Sequence, residues 1–475
     1  MDGLKPYPAM KASSVAWLGA VPEHWQVLPN RALFLEIKDN GFPHEEMLSV
    51  TINQGVIRQS ALLSESSKKD SSNEDKSKYK LVSPGDIAYN KMRAWQGAIG
   101  VSRVRGIVSP AYIVVRPRDQ LYARYFHYLF RTPVFAKEAE RWSYGISSDQ
   151  WSLRPEHFKQ VYCLVPPRDE LALIIRFLDH SDRLIRRYVG AKRKLIKLLE
   201  EQKQEIIYRA VTRGLDPNVP LKPSRVEWLG AVPEHWDVSA LRHHYKQCLG
   251  KMLDTKRITG AHLVPYLRNT DVQWERINTE QLPQMDIPES EYERYTLRRG
   301  DLLVCEGGEI GRAAIWDSQR ELCGFQKALH RLRPQSCDRD DPRFLLLQLR
   351  IATATGAFDD GHQSTISHLT GEKLRRHRFV FPPLEEQQAI IDQVGALTAA
   401  INKALTCAEL EIGNLCEYRT RLIADVVTGK LDVRGAAAAL PETSQELEEV
   451  NVVLEPDEED ELEDAGEAEV EEAAA

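Results

Sequence analysis

Between Asn90 and Gln96 the chain reads NKMRAWQ, so that Asn90, Lys91, Arg93, Trp95 and Gln96 alternate amide, cationic and aromatic side chains. That mixture has a definite chemistry. Lysine and arginine clamp phosphate oxygens, an amide pairs edge-on with adenine, a guanidinium pairs with guanine, and an indole offers a flat apolar face. The competing reading puts Trp95 in a core and Lys91 on a solvated strand edge. Ser148 and Gln150 extend the first set. At the matching place later in the chain stands CEGGEIGR, where Glu306, Glu309 and Arg312 replace the basic and aromatic groups; a glutamate accepts from the amino group of cytosine. Gln326 with Lys327, and Gln363 with Ser364, add further amide, ammonium and hydroxyl groups downstream.

Bond-making chemistry finds no such constellation. There is no G-x-x-x-x-G-K-[ST] phosphate cradle, and both Pro-Pro pairs follow Val165 or Phe381, which excludes the Asn-Pro-Pro-aromatic motif of an adenine methyltransferase. The acidic residues show no spacing that singles out a magnesium nuclease site. The seven cysteines form no C-x-x-C pair and no zinc spacing with histidine, and read as reduced thiols. No catalytic residue, metal ligand or cofactor site is expected on this chain.

The elements that position these residues are set by a duplication. WLGAVPEHW occurs twice unchanged, from Trp17 to Trp25 and from Trp228 to Trp236. Gly85-Asp86 answers Gly300-Asp301, Pro166-Pro167 answers Pro382-Pro383, and VTRGLD ending at Asp216 answers VTGKLD ending at Asp432. A unit of about 215 residues has been copied whole, far longer than a solenoid repeat and large enough to carry its own core. The frame agrees closely while the stretch mounted on it does not, which suits a chain that engages two different targets. The tryptophans of the repeated entrance read as buried anchors, and His24 and His235 as hydrogen-bonded structural groups rather than catalysts.

After Pro383 come Glu385 and Glu386, and Gly429 with Lys430 closes the segment, so one long helix is predicted there. Heptad positions from Ile390 through Val394, Leu397, Ile401, Ala404, Ala408, Glu411, Leu415, Tyr418 and Leu422 are apolar except Glu411, and the matching set from Ile174 to Ile206 keeps seven apolar positions of ten. The two helices are expected to pair antiparallel. Between the landmarks, alternating apolar residues broken by Gly, Pro and Asp predict mixed domains with a twisted sheet. The expected organisation is a first variable domain at 1–165, a long helix at 166–214, a second variable domain at 215–381, a second long helix at 382–430 and an acidic tail at 431–475. The fold class is α+β: two mixed domains joined by two long helices in an antiparallel coiled coil.

The formal charge of -7 conceals a basic body. Residues 441–475 hold 16 of the 70 acidic side chains and no Lys or Arg, which leaves 63 basic against 54 acidic groups before them. A positive excess suits a polyanionic partner. The tail has too little apolar surface to fold. No run of 18 apolar residues and no signal-peptide core occurs, so a cytoplasmic location and no membrane contact are expected.

The W-L-G-x-V-P-E-H-W entrance, the GD-I-x-Y-N-K-M-R-A-W-Q-G-A-x-G segment, the S-P-x-Y strand, the PP-L-E-E-Q-Q-x-I helix start and the V-T-G-K-L-D helix end together resemble the specificity subunit of type I restriction-modification enzymes. The likeness runs from about Leu4 to Asp432. One departure is the first helix start, PPRDELALI, which lacks Glu-Glu-Gln-Gln. The resemblance implies that each variable domain is a target recognition domain for one half of a bipartite, asymmetric site on double-stranded DNA. It also implies that the helices set the spacer and dock two methyltransferase subunits. S-adenosylmethionine is then expected on the methyltransferase partner, and ATP and magnesium on restriction subunits. The competing readings are a coiled-coil adaptor with two protein-binding domains and a metal-dependent nuclease.

Overall fold

The computed structural model describes residues 4–52, 54–61, 76–145, 151–253, 260–358 and 368–441. Two helices dominate it, Arg168–Arg213 with 46 residues and Leu384–Val427 with 44. Each starts behind a Pro-Pro pair with two acids in its first turn, Asp169 and Glu170 or Glu385 and Glu386, where a carboxylate faces the positive end of the helix. Each stops at a glycine in the left-handed region, Gly214 at φ 72° and Gly429 at φ 71°. At Gly429 the need for glycine is double, because a Cβ there would lie 2.4 Å from Pro22 Cδ of the repeated entrance.

By its contacts the chain forms two compact units, residues 1–194 with 408–475, and residues 195–407. In the first unit the helix segments pair antiparallel: Asp182 meets Arg419, and Lys192 meets Glu411 at 2.5 Å. In the second, Ile207 and Val211 share one core with Ile390 and Val394. The expected heptad seam holds at Ile174, Leu178, Ser181 and Ile185, all buried, and then slips. Val189 and Lys203 are buried in place of Tyr188 and Gln202, while Tyr188, Leu397 and Tyr418 are 60, 51 and 42% exposed. Ile174, Ile185 and Ile207 lie at multiples of eleven residues. In the first helix the stripe thus shifts by one residue beyond Ile185, toward eleven residues in three turns, while in the second the seven-residue seam continues through Ile390, Val394, Ile401, Ala408 and Leu422, all buried.

The variable parts share a topology that their sequences hide. In the first unit, β1 (Phe34–Ile37), β2 (Leu48–Thr51), β3 (Gly55–Arg58), β4 (Ile87–Asn90), β5 (Ile99–Val101) and β6 (Tyr112–Pro117) are followed by α1 (Ala123–Phe130). The central sheet has the order β1-β6-β4-β5, antiparallel throughout, and the β2–β3 hairpin packs on β5. The second unit repeats this with β7 (Tyr245–Leu249), β8 (Val272–Gln273), β9 (Arg276–Ile277), β10 (Leu302–Cys305), β11 (Ala313–Ile315), β12 (Leu329–Pro334) and α2 (Pro342–Ala354). Its sheet runs β7-β12-β10-β11, with the β8–β9 hairpin on β11. A further pairing, Gln26–Pro29 with Tyr162–Val165 and Asp237–Ala240 with Arg378–Phe381, closes each domain where the chain enters and leaves it.

The repeated entrance is fastened to the helix start. Glu170, 4% exposed, accepts from the Trp25 indole at 2.9 Å and the Tyr7 hydroxyl at 3.1 Å, and contacts His24 Nε2 at 2.6 Å and Arg434 Nη1 at 3.0 Å. In the second unit His235 meets Glu386 at 2.8 Å. Glu170 stands where Glu386 does, so the departure at the first helix start leaves this pair intact. Trp25 and Trp236 are both buried, and the two histidines are bonded as structural groups.

Candidate nucleic-acid interface

The first candidate loop joins β4 to β5. It leaves the sheet at Asn90, whose Oδ1 accepts from the Met92 amide at 3.0 Å, and returns through a 3-10 turn at Ala94–Gln96 and Gly97 at φ 100°. Trp95 is half-buried, donates its indole N–H to the Met92 carbonyl at 2.8 Å and meets Trp151 edge-on at 5.6 Å. Its ring therefore braces the loop. Arg93 is exposed, and Lys91 and Gln96 are partly exposed. The Lys91 carbonyl accepts from the Leu153 amide at 2.8 Å, which ties the loop to the segment after residue 150. Ser148 and Gln150 lie outside the described residues.

Two neighbours of this loop escaped the sequence reading. Lys80 donates to the Tyr112 carbonyl at 2.6 Å. Burial holds its ammonium below the ordinary lysine range, Glu36 opposes that shift, and Lys38 and Lys91 add to it. Burial likewise raises the Tyr112 hydroxyl, against the pull of Arg93. Lys38 and Lys91 thus lie beside Lys80, with Glu36 paired to Lys38 at 3.1 Å, while Arg93 lies beside Tyr112. The only sequence signal was a lysine ahead of the Pro-Gly-Asp turn, and the sheet pairing that gathers the other groups is not local.

The loop between β10 and β11 sits at the same place in the second sheet with a different character. Glu309 accepts from the Trp274 indole at 2.6 Å and lies 3.7 Å from Arg312. Arg312, with its side chain 14% exposed, donates to the Asn269 carbonyl at 3.1 Å, and Asn269 donates to the Gly307 carbonyl at 3.0 Å. These bonds hold the shape of the loop. Glu306 is half-exposed, with its backbone carbonyl accepting from Leu369. Lys327 is exposed, and the Gln326 carbonyl lies so close to Gly250 that a Cβ there would come within 2.1 Å. Gln363 and Ser364 lie outside the described residues.

Below this loop, His330 is fully buried and driven below the ordinary imidazole range by burial. Its Nε2 meets the Leu369 carbonyl and its Nδ1 the Gln247 amide nitrogen, both at 2.8 Å, which assigns the proton to Nε2. A second bonded chain runs from Asp340 Oδ1 to His244 Nδ1 at 2.7 Å and from His244 Nε2 to Ser239 Oγ at 2.9 Å. The order is that of a proton relay, but Ser239 is fixed in the ladder opposite Phe379 and the imidazole lies flat on the Phe381 ring at 3.4 Å. The chain of bonds braces the domain entrance. Neither cluster is legible in the sequence, because their members, up to 96 residues apart, meet only through tertiary packing. Among the described residues no group of three His, Cys, Asp or Glu side chains is arranged to hold a metal ion, and no helix is long and apolar enough to cross a membrane.

Both units, then, hold loops of opposite character on one sheet frame fastened to long helices. Residues 237–411 match the family described as the type I restriction modification DNA specificity domain. The putative type I restriction enzyme MjaX specificity subunit of Methanocaldococcus jannaschii is 23% identical over 442 residues, which span 88% of this chain and 96% of that protein. A solved structure reported for complex assembly and conformational transition of the type I R-M system matches the fold with TM-score 0.58 at 14% identity, covering 86% of this chain and 99% of its own. The crystal structure of the HsdS subunit from Thermoanaerobacter tengcongensis matches with TM-score 0.40 at 15% identity, over 86% and 98%.

Proposed function

We propose that this chain is the non-catalytic DNA-reading subunit of a type I restriction-modification complex, in which each variable domain reads one half of a bipartite, asymmetric site on double-stranded DNA. The observation that carries it is the pair of loops at one sheet position: Asn90, Lys91, Arg93 and Gln96 in one unit, Glu306 and Glu309 in the other. Identical frames with unlike contact groups are what two unlike half-sites require. Exposed apolar side chains on the long helices, Tyr188, Leu410 and Tyr418 in the first unit and Leu198 and Leu397 in the second, support docking of two methyltransferase subunits there. S-adenosylmethionine would be bound by those partners, and ATP and magnesium by restriction subunits, with no cofactor on this chain. The chain works in the cytoplasm with its DNA.

The test is methylome mapping of a host carrying this chain and its methyltransferase. Modified adenines in an interrupted, non-palindromic sequence are expected, and a continuous or palindromic target would overturn the reading. Purified chain without a partner should transfer no methyl group and cut no DNA.

A further inference from the structure

In each central sheet the outer strand runs in the same direction as the strand that feeds the candidate loop. β1 and β4 are both antiparallel to β6, and β7 and β10 are both antiparallel to β12. The chain therefore leaves β1 at the same end of the sheet as β4, and β7 at the same end as β10. The register makes the two outer strands comparable residue by residue: Phe34 stands opposite Pro117 and Tyr245 opposite Pro334, each proline closing an Arg-Pro pair. Eight positions past those residues come Phe42 in one unit and Leu253 in the other. Phe42 is 37% exposed, Leu253 39%, and its neighbour Met252 65%. The stretches KDNGF and LGKML that end in them agree at no position, yet each sets a bulky apolar side chain in water at one place.

Backbone bonds hold both segments beside the loops. In the second unit the Lys327 amide donates to the Lys251 carbonyl at 3.0 Å, and the Glu306 amide donates to the Ala328 carbonyl at 3.0 Å. Lys251 is fixed in turn by Glu291 and lies over the Tyr295 ring at 5.8 Å. In the first unit the Asp39 carbonyl accepts from the Leu81 amide at 2.8 Å, Lys80 bonds the Tyr112 carbonyl, and Tyr112 pairs with Asn90 at the root of the loop. Phe42 has a frame of its own. The Arg105 guanidinium lies over its ring at 5.5 Å and bonds Glu45 at 2.7 Å, while the Glu45 amide donates to the Phe42 carbonyl at 3.2 Å. A single exposed apolar residue is ordinary on a protein surface. Two at one register position, on fixed backbone and beside groups that suit DNA, call for a common occupant.

We propose that Phe42 and Leu253 are wedges: on binding, each sets its apolar side chain against a base step of its own half-site in duplex DNA and partly unstacks it. This use of the two side chains rests on the reading of the loops as DNA-facing. Charge complementarity favours a duplex as the occupant, since exposed Arg93 and partly exposed Lys91 lie at the same end of the sheet as Phe42, and exposed Lys327 lies beside the Leu253 segment. An apolar side chain pushed into a base step bends the duplex toward further contacts. The Phe42 ring can stack on any base, whereas Leu253 with Met252 offers an aliphatic edge. Unstacking is easiest at a pyrimidine–purine step, so each wedge adds sequence preference without a hydrogen bond to a base.

The experiment uses the full chain with its methyltransferase and a duplex carrying the mapped site, in which 2-aminopurine replaces each base in turn except the methylated adenines. With the parent, fluorescence should rise at one step in each half-site. Phe42→Ala should abolish the rise in the first half-site, keep that in the second and weaken binding about tenfold; Leu253→Ala should do the converse. Phe42→Trp should restore both binding and fluorescence. Melting temperatures of the free variants should match the parent, because both side chains are exposed. Site-specific binding by the parent with no rise at any step, or alanine variants that bind and fluoresce like the parent, would overturn the wedges and leave the reading of the loops standing. Loss of the methyltransferase from either alanine variant would make that residue a protein contact and overturn them as well. A parent that binds no site specifically would sink the reading of the loops and the wedges with it.

Discussion

Arg116 grips Asp86 with two hydrogen bonds of 2.6 and 2.8 Å, and the carboxylate it grips also accepts from the Ser83 amide at 3.0 Å. Arg333 holds Asp301 in the same way, at 2.6 Å twice, while Asp301 accepts from the Arg298 amide at 2.7 Å. The Gly-Asp dipeptide common to both copies is thereby explained: the aspartate caps its own turn and rivets β4 to β6, or β10 to β12. Each aspartate is buried, so removing its arginine leaves an unpaired charge inside. Arg116→Ala should destabilise the first unit by about 3 kcal/mol, and Arg333→Ala the second by a similar amount. Denaturant unfolding followed by tryptophan fluorescence measures it, and a loss under about 0.5 kcal/mol would place the pair among surface contacts.

The exposed cations of the first loop should act on one half-site only. Lys91→Ala and Arg93→Ala are expected to weaken binding by about 1 to 3 kcal/mol if the contact is to a base, with discrimination lost at the first half-site and kept at the second. Arg312→Ala should behave differently, lowering the melting temperature because the guanidinium holds its loop to Asn269. Binding assays at fixed salt on sites altered in one half separate these effects.

His377 gives the second unit a pH dependence. Burial among Trp228, Phe358 and Phe379 pushes its imidazole down to about 4 from an ordinary value of 6.5. Between those values the unfolded chain binds the proton and the folded chain does not, so the stability given by the neutral ring is complete above pH 6.5 and is lost as pH falls toward 4. His377→Phe should flatten that slope. Melting temperatures at pH 7 and pH 5 test it, and an unchanged slope would transfer the effect to other buried imidazoles such as His330.

The helix period changes how the ruler should be lengthened. In the first helix the buried Ile174, Ile185 and Ile207 recur at multiples of eleven residues, so an eleven-residue insertion keeps that stripe in phase. Eleven residues added after Leu199 and again after Lys403 extend the pair by about 16 Å at 1.5 Å per residue. If the helices set the spacer, it should grow by about five base pairs at 3.4 Å each, with the bases at both ends unchanged. Methylome mapping of the variant reads this directly, and full activity with the original spacer would mean that the helices do not measure it.

The frame was legible because its signals are local: prolines and acids that start a helix, a glycine that ends it, a Gly-Asp turn, an entrance repeated word for word. In the first helix Ile174 to Ile185 fit a seven-residue and an eleven-residue repeat alike, and only Val189 and Lys203 separate the two. The loops at Asn90 and Cys305 could be aligned from Gly-Asp alone. What surrounds them could not. Tyr112 reaches the first loop by pairing with Asn90, Lys80 by its bond to the Tyr112 carbonyl, and Trp151 by its ring contact with Trp95, none of them close in sequence.

The first unit is completed by distant stretches of chain: Tyr125 donates to the Val427 carbonyl at 2.8 Å, Lys5 bridges to Asp432, and Leu422, Val426 and Val433 lie in the core around Trp25. A ribosome making this protein from its N-terminus releases most of that domain long before the segment that seals it. The second unit, contiguous from 195 to 407, has all its parts in hand earlier. The domain that is translated first is therefore the last to close, and until residue 433 emerges its unsealed core is a substrate for chaperones and proteases.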